Sequence, residues 1–241
     1  MGSSKVYKVK GMHCASCASI IEKTFQKVEG VKHVEANYGT ESVQVSFDET
    51  KISPVTLSNK IEPLGYSLIL EEASKQNNEK LKELSEMRLK VRTVIPLAIF
   101  SIFVMGWEVL AQVRFVPEMS HVVQEFFHHL LPLMATYTLF VVGKPYLKGA
   151  YRFFRYGKAN MDSLIGIGTG AAFLYSFIVT AFEESLGPFI NVEHTYYDVT
   201  IVVIAFITLG KYLEVKSKMK TGDAIEKLLN LQAKTALVIE D

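Results

Sequence analysis

The sequence predicts an α+β domain of order βαββαβ followed by an all-α membrane region of four transmembrane spans. Up to Leu70 the apolar residues alternate or recur at helical spacing, whereas beyond Val94 they gather into runs long enough to cross a bilayer. The connections between those runs are basic and acidic by turns, as they are when successive spans reverse direction.

Val6 and Val9 lie in a short strand-like run, and Ile20, Ile21, Phe25 and Val28 then recur at helical spacing. Val31, Val34 and Ala36 lead into the turn signal Asn37-Tyr38-Gly39-Thr40, after which Val43, Val45 and Phe47 alternate strictly with polar residues, so this stretch reads as a hairpin. Ser53-Pro54 starts a second helix with Leu57 and Ile61 on its apolar face. Pro63-Leu64-Gly65 stops it before a last strand around Tyr66 to Leu70. The order βαββαβ is the ferredoxin-like one, a two-layer sandwich with both helices on one face of an antiparallel sheet, and it is assigned to residues 1–70.

Residues 71–93 are charged and polar, weakest for regular structure at Asn77-Asn78, and read as a linker turning into the first membrane helix. Val94 to Ala111, Val122 to Gly143, Leu164 to Phe182 and Tyr196 to Val215 each come near the roughly 20 residues that a spanning helix needs. Lys90 and Arg92, Lys144 to Lys158, and Lys211 to Lys220 are basic, while Glu118, Glu125, Glu183, Glu184 and Glu193 occupy the other connections. The positive-inside rule then predicts a multi-pass chain of the cell membrane with both termini cytosolic. Gly143-Lys144-Pro145-Tyr146 should break the second span as it leaves the bilayer. In the helix expected over 144–158, Lys144, Lys148, Arg152 and Arg155 share one face and Leu147, Tyr151 and Phe154 another, the pattern of an interfacial helix suited to anionic headgroups or to an acidic donor protein. Gly166, Gly168 and Gly170 read as close helix packing, and Met105, Met119 and Met134 as apolar filler. Residues 216–241 read as a cytosolic stalk, with Thr235 to Ile239 as the first strand of a further domain.

A formal net charge of +1 over 241 residues gives no reason to expect a nucleic-acid partner. The N-terminus has no secretory pattern, and the two cysteines are too few and too close for a disulfide framework, so a reducing, cytosolic setting is expected for the first domain. Gly11-Met12-His13-Cys14-Ala15-Ser16-Cys17 falls between the first strand and the first helix, with Cys14 in the loop and Cys17 in the opening turn. Unpaired amides and the helix dipole there favour thiolates, and two thiolates suit a soft ion of low coordination: Cu(I), with Ag(I) chemically close. Zn(II) would usually take four ligands, and no Asp or Glu flanks the pair. His13 is either a ligand or a loop histidine, Met12 a core plug, and Tyr66 either a neighbour of the Cys loop or a plain strand aromatic. A thioredoxin-like redox pair is the competing reading of the motif, and the absence of a parallel βαβ pattern argues against it.

In the membrane region Met161 offers a soft thioether at the cytosolic mouth of the third span and Asp198 a carboxylate at the start of the fourth. By chemistry alone each is either interfacial or part of a metal path. His128 and His129 sit near the extracytosolic end of the second span, as interfacial histidines or as aids to metal release.

The Cys motif, followed by Val28-Glu29-Gly30-Val31 and Pro63-Leu64-Gly65-Tyr66, resembles the heavy-metal-associated domain of copper chaperones and copper pumps. Gly143-Lys144-Pro145-Tyr146, Ala159-Asn160-Met161-Asp162-Ser163-Leu164, Tyr197-Asp198, Thr208 to Glu214 and Thr221-Gly222-Asp223-Ala224-Ile225 are similar to the heavy-metal P-type ATPases. The resemblance implies the N-terminal part of a Cu(I)-exporting pump. A copper chaperone or other cytosolic Cu(I) donor would load Cys14 and Cys17, and the ion would pass to an entrance site formed by Met161 and Asp198, with the lipid bilayer and the remaining ATPase domains as the other partners. Two departures stand out: Val142 where the family often has a second glycine, and Asp198 where it commonly has Glu. The family's phosphorylation, dephosphorylation and Cys-Pro-Cys motifs are absent from these residues, so the chain alone is not expected to hydrolyse ATP. The alternatives are a stand-alone, membrane-anchored Cu(I) relay protein and a membrane thiol oxidoreductase.

Overall fold

A computed structural model describes residues 3–70, 73–117, 119–187 and 195–230. The first domain runs β1 (Ser3–Lys10), α1 (Ala15–Phe25), β2 (Val31–Asn37), β3 (Ser42–Phe47), α2 (Pro54–Ile61) and β4 (Ser67–Ile69), the βαββαβ order expected. Its four strands lie in the order β2-β3-β1-β4, every pair antiparallel. Register follows from the strict alternation in β3: Val43 and Val45 face inward opposite Ala36 and Val34 of β2, and Phe47 closes the end of the sheet. Ile21 and Phe25 of α1 and Leu57 and Ile61 of α2 cover the same face, and all are inaccessible to solvent. β1 contributes Val9 to this core, whereas Val6 points outward and is 65% exposed, because successive strand residues face opposite sides. Ser53 caps α2 through a bond from the Thr56 N–H at 3.2 Å, and Gly65 ends the following 3₁₀ turn with φ +93°.

The second part is helical: α3 (Ala73–Gln112), α4 (His121–Tyr137), a π turn (Thr138–Val142), α5 (Lys144–Tyr156), α6 (Met161–Ala181), α7 (Glu183–Leu186) and α8 (Tyr197–Asn230). The segment expected as a linker is already helical from Ala73, so Asn77-Asn78 does not interrupt it, and Pro96 is accommodated inside the same helix. Leu81–Gln112 and Met161–Ala181 are long and apolar enough to cross a membrane, and Val122–Val142 with Lys144–Tyr156 forms a pair bent by 69° that counts as a third at most. The fourth expected span is the first part of α8, a helix whose charged residues include Asp198, Lys211 and Glu214. The strand expected at Thr235 to Ile239 and the acidic Glu118 and Glu193 lie outside the described residues.

The bend has a local cause. The Gly143 N–H bonds the Thr138 carbonyl at 2.8 Å, closing a π turn, and a Cβ on Gly143 would stand 2.6 Å from the Leu139 carbonyl oxygen. α5 then packs across α6 on small residues. A Cβ on Gly149 would come within 2.9 Å of the Asp162 and Ser163 main chain, and one on Gly166 would overlap the Tyr146 carbonyl. Gly168 and Gly170 have open space beside them, so close packing holds for Gly166 alone of that trio.

Candidate metal centre

Cys14 is the N-cap of α1, in extended backbone conformation, and its sulfur accepts a bond from the Cys17 N–H at 3.4 Å. This places one sulfur at the rim of the loop and the other in the first helical turn, with Sγ–Sγ at 2.7 Å. Both cysteines are free thiols; Cys14 is half-buried and Cys17 buried. An ion about 2.3 Å from each sulfur would subtend a very acute angle at the present separation. The sulfurs therefore have to part for capture. Burial pushes the Cys17 thiol up and its hydrogen bond with Cys14 adds to this, while hydrogen bonds with the Tyr66 hydroxyl and the His13 main chain act in the opposite sense. The thiolate expected from the helix dipole is thus opposed at Cys17 by desolvation, and binding an ion there has to displace a proton. Met12 beneath the loop is completely buried, as a core plug.

Tyr66 does approach the Cys loop. Gly11, with φ +89°, lies so close to Gly65 that a Cβ on it would stand 2.6 Å from the Gly65 carbonyl oxygen. That approach brings Tyr66, 3% exposed, alongside the Cys loop, and its burial pushes the phenol up. The phenol hydroxyl accepts a bond from Asn160 Nδ2 at 3.3 Å. Asn160 caps α6 in a capping box with Ser163, so Tyr66, beside the Cys loop, is one side chain away from the start of α6.

Met161 is the first residue of α6 and is 39% exposed. Beside it, Asp162 is ion-paired with Lys211 of α8, whose ammonium also lies 5.0 Å from the centre of the Tyr146 ring. Glu214, one turn further along α8, pairs with Lys218 at 3.0 Å. Asp198 is elsewhere. α8 runs antiparallel to α6: its N-terminal end meets the far end of α6 through the Tyr196 N–H bond to Ser176 Oγ at 2.6 Å and the Thr200 hydroxyl bond to the Thr169 carbonyl at 3.4 Å. At 1.5 Å rise per residue, the Thr169 and Ser176 levels stand roughly 12 and 22 Å from Met161 along the helix axis. Met161 and Asp198 therefore stand at different levels of the α6–α8 pair. A motif placed at a helix start gives no hint of the level it will face on an antiparallel neighbour. The charged groups that do share Met161's end of the helices, Asp162, Lys211 and Glu214, were overlooked because none is an unusual residue at a span boundary. His129 Nδ1 lies 2.8 Å from the Glu125 carbonyl oxygen of its own helix.

The family model described as "HMA: Heavy-metal-associated domain" matches residues 6–67. Over 98% of its length the chain is 34% identical to the "Copper-exporting P-type ATPase" of Bacillus subtilis, covering 29% of that protein. Over nearly its whole length the chain is therefore similar to a protein named as a copper-exporting P-type ATPase. It is also 34% identical, again over 98% of its length, to the "Probable copper-exporting P-type ATPase" of Archaeoglobus fulgidus, of which it covers 27%. The chain thus spans less than a third of the length of these curated relatives. Among solved structures, the N-terminal domain of a potential copper-translocating P-type ATPase from Bacillus subtilis, in its Cu(I)-loaded state, is 35% identical, with 28% of this chain and 85% of that chain covered and a TM-score of 0.27.

Proposed function

We propose that this part of the molecule takes a soft monovalent ion, Cu(I), on Cys14 and Cys17 and delivers it to the cytosolic end of the membrane helices at Met161. The observation that carries the reading is the sulfur pair itself: a helix N-cap and a first-turn residue, with no cluster of three or more His, Cys, Asp or Glu able to hold a metal among the described residues. Two soft donors favour Cu(I), admit Ag(I) and leave Zn(II) short of ligands. The relatives named for copper export support the same cargo. In this reading α3, the bent α4–α5 pair, α6 and the first part of α8 make four passes, both ends of the chain lie in the cytosol, and the donor is a cytosolic copper chaperone. The remaining domains of a longer pump would supply ATP hydrolysis. Met161 receives the ion at the entrance.

Anaerobic Cu(I) titration of the whole chain in detergent, against a competing Cu(I) chelator, tests the proposal. One tightly held equivalent is expected, lost in Cys14→Ser/Cys17→Ser. Binding that survives the double substitution would refute the assignment.

A further inference from the structure

Lys211 joins three helices at the end of the helical part where Met161 lies. Its ammonium is ion-paired with Asp162 of α6 and stands 5.0 Å from the centre of the Tyr146 ring of α5. The Tyr146 hydroxyl in turn meets the Thr208 hydroxyl at 3.1 Å, one turn before Lys211 on the same face of α8. The Lys211 side chain is 13% exposed, so solvent ions screen the pair poorly. Asp162 belongs to the first turn of α6, where the helix dipole also favours a carboxylate. One turn further along α8, Glu214 pairs with Lys218, but that lysine is 29% exposed and shared with Glu41 of the first domain. Both carboxylates at Met161's end of α6 and α8 are thus faced by lysines, and Asp162 has the more enclosed one.

We propose that Lys211 is a specificity-determining residue for the ion that reaches Met161. By neutralising Asp162 it keeps the entrance free of an uncompensated carboxylate, and so favours a soft monovalent ion over a divalent one. This rests on the reading of Met161 as the entrance. A carboxylate is a hard oxygen donor of the kind divalent cations take, whereas a thioether is soft. The potential at the entrance also acts on an ion in proportion to its charge. A negative charge left there would help a divalent ion twice as much, in free energy, as a monovalent one. Lys211 removes that advantage, and the Met161 thioether still holds a soft ion. Lys211 acts through Asp162 without touching the ion, so its role is that of a positioning residue.

Titration of the whole chain in detergent micelles tests this, with Cys14→Ser/Cys17→Ser to silence the loop, carbon-13 in the methionine methyl groups, and the Met161 signal assigned by Met161→Leu. Ag(I) and Zn(II) are the probes, and the ratio of their midpoints at the Met161 methyl is the readout. Lys211→Met should lower the Ag(I) midpoint roughly threefold and the Zn(II) midpoint roughly tenfold, the square expected for a doubled charge. Asp162→Asn is isosteric and leaves the ammonium uncompensated. It should move both midpoints the other way in the same proportion, so the outcome does not hang on the folding of Lys211→Met. Lys211→Arg should keep the wild-type ratio, and Lys211→Met combined with Asp162→Asn should restore it, which a merely structural loss of the junction would not do. A ratio unmoved in the single variants, or still altered in the double one, would overturn the role of Lys211 and leave Met161 as the entrance. Absence of any Ag(I) shift at the Met161 methyl before Lys211 is changed would overturn both.

Discussion

The two halves of this molecule bury apolar residues by different rules. In the heavy-metal-associated domain Phe25, Phe47, Ile21 and Leu57 are completely buried, because water outside drives every large side chain of one face inward. In α6 the large side chains turn outward: Leu174 is 57% and Phe177 54% exposed, while Ser163, Gly166, Thr169 and Ser176 face the neighbouring helices. Lipid exerts no such drive, so close approach of backbones and hydrogen bonds hold the helices together. The Cys14–Cys17 loop sits where the two regimes meet.

Substitutions sharpen that contrast. Phe25→Ala should cost the domain about 3–5 kcal/mol, read by chemical denaturation of the whole chain with a probe in the domain. Gly166→Ala places a methyl against the Tyr146 carbonyl and should destabilise the α5–α6 packing by about 1–3 kcal/mol, seen as a lower unfolding midpoint in detergent. Asn160→Ala removes the α6 cap and should cost about 1 kcal/mol, largely restored in Asn160→Asp. Leu174→Ala, on the lipid side, should stay within about 0.5 kcal/mol in the same assay. A Leu174→Ala cost as large as that of Phe25→Ala would break the comparison.

The first domain was legible because its signals are local: alternation in Val43, Val45 and Phe47 sets the strand, Ser53-Pro54 starts a helix, and Gly65 stops one. The break at Gly143 was equally legible, although the π turn that leads into it was not, since Thr138 to Val142 reads as any apolar helix. The unbroken run of α3 from Ala73 escaped the sequence because polar residues such as Asn77 and Asn78 weaken a helix without forbidding it. Least legible was whatever depends on two distant segments meeting. Cys14 and Cys17 lie in one motif and could be paired at once, whereas the separation of Met161 from Asp198, the pairing of Asp162 with Lys211 and the bridge from Tyr66 to Asn160 are set by how helices and domain dock.

X-ray absorption at the copper edge of the Cu(I)-loaded chain tests the central claim most directly. Two sulfur neighbours at about 2.3 Å or slightly less, with no nitrogen or oxygen in the same shell, are predicted for an ion held by Cys14 and Cys17 alone. A shell containing an imidazole nitrogen, or a spectrum unchanged in Cys14→Ser/Cys17→Ser, would contradict it.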